Sequence, residues 1–293
     1  VSDTEIEINA TTIDINGAVA MDGAITGATN ITLSGELDAA TLDISGNADI
    51  DGTMEADAYT IEGTSFIKLG GTDFTNSLIV GHSTTGTLDA AENNTAVGIG
   101  ALDAITTADK CVAVGYNAGT ALTTGGFCTF VGEQAGVTHT TAFSNTGVGY
   151  RALEKTNANA NTGFGASAGR NPTGVNNTSV GTEALKGSGT CTAAYNVAVG
   201  RQAGTAVQAA AYNVLIGTDA GSNISSGDGN VILGNVDADS ATGDAQLKIT
   251  SYDGTTTVNW IAGDSNGHLT FINDVILDSD SCVLKFGDDQ DTT

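Results

Sequence analysis

Three histidines, four cysteines and thirty-four carboxylates are the side chains of this 293-residue sequence on which chemistry could rest. His82, His139 and His268 each stand alone in polar, turn-like stretches. None lies at ligand spacing from another, so a zinc site has no framework and all three are read as solvated loop residues. The run Asp237-Ala238-Asp239-Ser240-Ala241-Thr242-Gly243-Asp244 resembles a calcium loop at first sight. It lacks an oxygen ligand at its fifth position and glycine at its sixth, so the EF-hand pattern fails. Asp278 with Asp280, and Asp288, Asp289 and Asp291, are read as solvated turns. Their alternative is a three-fold assembly that brings three such carboxylates around one Ca²⁺ on its axis.

Paired carboxylates for glycoside cleavage could be drawn from any of the 34 acids. Sites that cut polysaccharide usually carry aromatic platforms, however, and Trp260 is the sole tryptophan. No G-K-[ST] follows a glycine-rich turn, which removes a phosphate loop. Triplets of the form N-x-[ST], such as Asn9-Ala10-Thr11 and Asn176-Asn177-Thr178, follow from the abundance of Asn and Thr. The expectation is a chain that is not an enzyme, with no catalytic residue, cofactor or metal site.

Composition points the same way. A net charge of −25 argues against nucleic acid and anionic membrane surfaces, which both call for Lys and Arg. No apolar run approaches the roughly 18 to 20 residues of a membrane helix, so no membrane insertion is expected. No basic-then-apolar signal segment opens the sequence. It begins at Val1 and stops at Asp291-Thr292-Thr293, so a processed product or one segment of a longer polypeptide is expected. With 40 glycines, one proline, 5% aromatic residues and apolar content weighted to Ala and Val, the chain suits a thin, repetitive β core.

The elements that carry these residues repeat. The segments Asn94-Thr95-Ala96-Val97-Gly98, Cys111-Val112-Ala113-Val114-Gly115 and Cys128-Thr129-Phe130-Val131-Gly132 align. So do Asn145-Thr146-Gly147-Val148-Gly149, Asn161-Thr162-Gly163-Phe164-Gly165 and Asn177-Thr178-Ser179-Val180-Gly181. Asn196-Val197-Ala198-Val199-Gly200, Asn213-Val214-Leu215-Ile216-Gly217 and Asn230-Val231-Ile232-Leu233-Gly234 complete nine copies at a mean spacing of 17 residues. Such self-similarity is the mark of stacked units that bury nothing alone.

Within the unit, an apolar residue always precedes the glycine, and Thr or Val stands two places earlier. β-Branched residues at a spacing of two predict one face of a short strand. The first eight copies place Ala three residues after the glycine, from Ala101 to Ala220, and then Leu or Gly. A small residue there suits a corner where coils stack closely. The leading Asn tolerates left-handed backbone and, stacked, could form an amide ladder.

Cys111 and Cys128 replace it in adjacent coils. Rungs about 4.8 Å apart fall within the Cα reach of a disulfide. In-register stacking aims the two side chains side by side, however, so buried thiols are favoured and a bridge stays open. With Cys191 and Cys282 also dispersed, no disulfide framework is read and the redox compartment is left open.

The N-T-A-V-G-x-x-A-[LG] unit resembles the head repeats of YadA-like trimeric adhesins, which implies a left-handed parallel β-roll assembled three-fold. It is still more similar to repeats of phage tail-fibre proteins, especially of marine, cyanophage-type phages. The resemblance covers Asn94 to Asn235.

A looser repeat fills residues 1–75, as in Ala10-Thr11-Thr12-Ile13-Asp14-Ile15-Asn16-Gly17 and Ala28-Thr29-Asn30-Ile31-Thr32-Leu33-Ser34-Gly35. Alternating apolar and polar residues closed by glycine predict half-buried strands. No helix is available to cover their apolar stripe, so association of three copies about an axis is expected. Residues 76–93 read as a junction, 94–236 as the β-roll, and 237–293 as a β-rich shaft or hairpin module in a chain that continues. In that module, turns at Tyr252-Asp253-Gly254 and Ser265-Asn266-Gly267 separate strands. Trp260 is expected to fill a core.

The resulting expectation is an all-β, elongated homotrimeric phage tail fibre in the virion tail. Its partners would be other tail or fibre proteins and a host-surface receptor, glycan or protein. The alternatives are a bacterial trimeric adhesin head, which a membrane-anchoring barrel encoded downstream would favour, and a polysaccharide-degrading tailspike. An ice- or surface-binding solenoid needs a regular outward Thr face. Thr95, Thr129, Thr146, Thr162 and Thr178 are interrupted by Val112, Val197, Val214 and Val231 and are read as inward-facing, which ranks it lower.

Overall fold

The computed structural model describes residues 59–61, 64–69, 72–81, 85–189 and 191–272. The chain divides into two units, Val1–Glu55 and Ala56–Thr293, and all described residues belong to the second. The strand repeat expected before residue 59 and the acidic turns after residue 272 lie outside the described residues.

Two short strands open the unit, β1 (Tyr59–Ile61) and β2 (Thr64–Leu69), which pair antiparallel with each other. β2 pairs antiparallel with β3 (Leu78–Val80). From β3 onward the pairing is parallel and in register. β4 (Thr95–Val97), β5 (Val112–Val114), β6 (Thr129–Val131), β7 (Thr146–Val148) and β8 (Thr162–Phe164) follow. Next come β9 (Thr178–Val180), β10 (Val197–Val199), β11 (Val214–Ile216) and β12 (Val231–Leu233), ending against β13 (Leu247–Tyr252). β14 (Thr257–Gly263) and β15 (Leu269–Phe271) return antiparallel. The two turns expected in this region join β13 to β14 and β14 to β15. Among the described residues no helix occurs, and the architecture is an all-β parallel solenoid of about ten turns.

The expected face of each strand is correct in membership and reversed in direction. The middle residue of every repeat strand is buried: Ala96, Ala113, Phe130, Gly147, Gly163, Ser179, Ala198, Leu215 and Ile232. The Thr and Val residues on either side are half-buried or exposed and point outward. A coil this small has no room inside for two β-branched residues per strand. One residue of variable size fills it instead.

Three further columns complete the interior. The Ala column is fully buried from Ala101 to Ala220. The position after it is left-handed in all eight coils, with φ between 47° and 61°. Gly takes that backbone without strain, whereas Leu102, Leu153 and Leu185 bear its cost and fill space in return. The third column lies seven residues after the strand-ending glycine: Ile105, Leu122, His139, Thr156, Val207 and Ile224 are all at 0% exposure. His139 is therefore a core residue and not the solvated loop residue its sequence context suggested.

The strand-ending glycines form a column of their own, with φ between 124° and 135° from Gly98 to Gly217. A Cβ at Gly98 would lie 2.6 Å from the Gly115 carbonyl oxygen of the next rung. The position is closed to any side chain, so the glycine here is a consequence of rung spacing.

The far end of the stack is closed by a polar side chain. Lys248 follows Ile232 in the inward column there. Its Nζ pairs with the Asp239 carboxylate at 2.6 Å and donates to the Asp237 carbonyl at 3.1 Å. Beyond it the sheet loses its covering layer. Trp260, expected in a core, is 50% exposed, and its Nε1 donates to Ser251 Oγ at 3.0 Å. Leu269 and Phe271 are similarly bare. No described element packs over this hairpin sheet.

Candidate interaction face

Outward side chains of the parallel strands make two straight columns. One runs Leu78, Thr95, Val112, Thr129, Thr146, Thr162, Thr178, Val197, Val214, Val231, Leu247. The other contains the residues that precede the repeat glycines: Val97, Val114, Val131, Val148, Phe164, Val180, Val199, Ile216 and Leu233. None of these side chains ionises, in a chain whose net charge is −25. Phe164 is 56% and Ile216 42% exposed. Ten steps of about 4.8 Å make the face on the order of 48 Å long. Three residues of strand make it about 10 Å wide. The uncharged face thus covers about 480 Å², within the size range of the largest patches that monomers expose.

Aromatic residues rim the face. Before the first column, Phe127, Tyr195 and Tyr212 are exposed at left-handed corners, with φ of 57°, 58° and 60°. The Tyr195 and Tyr212 rings stack at 5.0 Å and 7°, and Lys110 Nζ lies 4.9 Å from the centroid of the Phe127 ring. Past the glycine column stand Ile99, Tyr116 and Tyr150, all about half exposed or more.

Behind the face runs the amide ladder. Asn94, Asn145, Asn161, Asn177, Asn196, Asn213 and Asn230 are buried. In the second half of the stack each Oδ1 accepts both the backbone N–H and the Nδ2–H of the next Asn. Asn196 Oδ1 takes the Asn213 pair at 3.0 and 2.9 Å, and Asn213 Oδ1 the Asn230 pair at 2.8 and 2.9 Å. Ser77 Oγ starts the ladder by accepting the Asn94 N–H, and Gln246 ends it on Asn230. The two cysteines are free buried thiols within this ladder. Cys128 Sγ lies 3.3 Å from the Gly126 carbonyl and 3.5 Å from that of Ala142, the latter at the offset at which Asn94 Nδ2 reaches Ala108 and Asn196 Nδ2 reaches Ala210. A thiol thus substitutes for the amide donor. Contact with Cys128 and burial push the Cys111 thiol well above its ordinary range.

The polar candidates do not assemble into a reactive centre among the described residues. His139 and the exposed His268 lie on different parts of the unit, and His268 pairs with Asp264 at 3.0 Å. Within Asp237–Asp244 the carboxylates serve neighbours: Asp237 accepts from Ser222 Oγ and Asp244 from the Asp228 N–H. No group of three or more His, Cys, Asp or Glu suited to a metal occurs among the described residues. His82 and Cys282 lie outside them.

Sequence reasoning missed two things here: the interior column that holds His139, and the outward direction of the Thr residues. The first had a readable signal, because Ile105, Leu122, Val207 and Ile224 recur seven residues after a repeat glycine. No family model, curated protein or solved structure matches the chain.

Proposed function

We propose that this chain is a structural segment of a homotrimeric fibre of the phage-tail type, which positions or contributes to contact with a host-surface receptor. The observation that supports this reading is the uncharged Thr/Val face. A strip without one ionisable group, on so acidic a chain, is suited to burial against copies of itself. Three such faces about an axis would shelter one another, as a stable interface of roughly 800 Å² per partner requires once the rimming aromatics join it. Stacked backbone hydrogen bonds along the parallel rungs supply stiffness, and three equivalent chains let weak surface contacts add. The remaining acidic surface keeps assembled fibres apart.

One observation favours a second reading. The Thr column faces outward in strict register, which is the geometry a solid-surface-binding solenoid uses. In that case the face stays open in solution. Sedimentation and negative-stain micrographs distinguish the two: an elongated three-chain particle supports the fibre, and a monomer with an open face supports surface binding.

A further inference from the structure

The ninth repeat breaks the rule of the other eight. Three residues after its glycine stands Asp237, where every earlier copy has a buried alanine. At this break lies an open surface cleft of about 360 Å³, lined by Asp219, Ser222, Asn235, Asp237, Thr257 and Asn259, with Val236 as its apolar wall. The volume is at the small end of the range of ligand pockets. No wall comes from the two outward columns, so the cleft is independent of whether that face is covered.

We propose that this cleft is a binding site for a neutral saccharide unit. Its walls offer carboxylate acceptors, carboxamide donors and acceptors, and hydroxyls that do both, the mixture that pairs with adjacent sugar hydroxyls. Val236 gives a pyranose C–H face its apolar contact. The acceptors are held in place. Asp237 Oδ1 takes the Ser222 hydroxyl at 2.8 Å and the Asn223 N–H at 3.1 Å, and Arg201 holds Asp219 Oδ2 at 3.0 Å from outside the cleft. Two carboxylates without a cation in the lining disfavour phosphate, sulfate and acidic sugars. A Ca²⁺ ion wants six to eight oxygens, and the Arg201 guanidinium on Asp219 Oδ2 already sets a positive charge beside the lining.

The test is calorimetry and saturation-transfer NMR on the whole chain with glucose, galactose, mannose, N-acetylglucosamine and lactose, and separately with CaCl₂. Wild type is compared with Asp237→Ala, which installs the residue of the other eight repeats, and with Asn235→Ala. At least one sugar binds wild type, and each variant weakens it about tenfold or more while thermal unfolding stays cooperative. Should Asp237→Ala fail to fold, Asn235→Ala alone carries the comparison. Absence of binding by every sugar overturns the assignment, as does sugar binding undiminished in a folded variant. Calcium binding lost in the variants, with no sugar bound, overturns it in favour of a cation site.

Discussion

The ring of Phe130 occupies the space that a side chain on Gly136 would need: a Cβ there would lie 2.4 Å from both Cδ1 and Cε1 of the ring. The next coil inverts the pair, with Gly147 in the strand and Leu153 at the left-handed position. Bulk is traded between these two sites here, and where both are small, as at Gly163 and Gly169, Leu153 of the preceding coil fills the space. Gly136→Leu alone should be strongly destabilising, and Phe130→Gly should cost at least the roughly 3–5 kcal/mol typical of emptying a phenylalanine site. The double variant Phe130→Gly/Gly136→Leu reproduces the neighbouring coil and should unfold at higher denaturant than either single variant. Equal or worse stability of the double variant would refute this complementarity.

The amide ladder predicts a ranked series at Asn196. Asn196→Ala leaves the Asn213 N–H and Nδ2 without their buried acceptor, at about 1–3 kcal/mol per orphaned group. Asn196→Cys should cost less than Asn196→Ala, because Cys111 and Cys128 already occupy this place in two coils. Chemical denaturation gives the ranking, and hydrogen exchange at the Asn213 amide should accelerate in the alanine variant first.

His139 makes stability depend on pH. Burial lowers its pKa from 6.5 to about 4, outweighing the opposing pull of the nearby Gly136 backbone. The unfolded chain therefore takes up a proton as pH falls below 6.5 while the folded chain stays neutral until about 4. Stability from this site is full above the unfolded value and declines through that window by about 3 kcal/mol. His139→Leu, matching Leu122 in the same column, should remove that share of the acid sensitivity. Parallel denaturation curves of the two proteins at pH 7 and pH 4 measure it, and an unchanged difference between them would count against a buried neutral imidazole.

The thiols should be silent in the native state. Cys111, Cys128 and Cys191 are fully buried, which closes them to reagents even though contact between the first two raises the Cys111 thiol and lowers that of Cys128. Iodoacetamide should label Cys111, Cys128 and Cys191 only after denaturation, as free thiols, without prior reduction. A mass consistent with a Cys111–Cys128 bridge would contradict the ladder geometry.

Much of the solenoid was legible because its constraints repeat. Gly98 and its equivalents announce themselves through nine-fold recurrence, and Ala101 and its equivalents through eight. The direction of the strand was not legible, since Thr95 and Val97 bracket Ala96 symmetrically and the alternation alone does not say which side is inside. Volume settles it: a middle column that ranges from Gly147 to Phe130 is compensated by the left-handed position of its own or a neighbouring coil, as a core must be. His139 was misread because its neighbours Thr138, Thr140 and Thr141 are polar, although its place in the period matches Leu122. Trp260 was misread for the opposite reason. Its size argues for a core, but the layer that would cover it is absent from the described residues. The cleft at Asp237 left a trace only as a missing alanine.

On the proposed reading, the uncharged face is buried between copies. Sedimentation equilibrium on the intact chain, beside Val148→Lys and Val199→Lys variants in the centre of that face, tests it most directly. Three chains per particle are expected for the wild type and dissociation to single chains for the variants, with far-UV circular dichroism of the β type retained. A wild-type protein that stays a folded single chain at every concentration, with a mass the lysines leave unchanged, would contradict it.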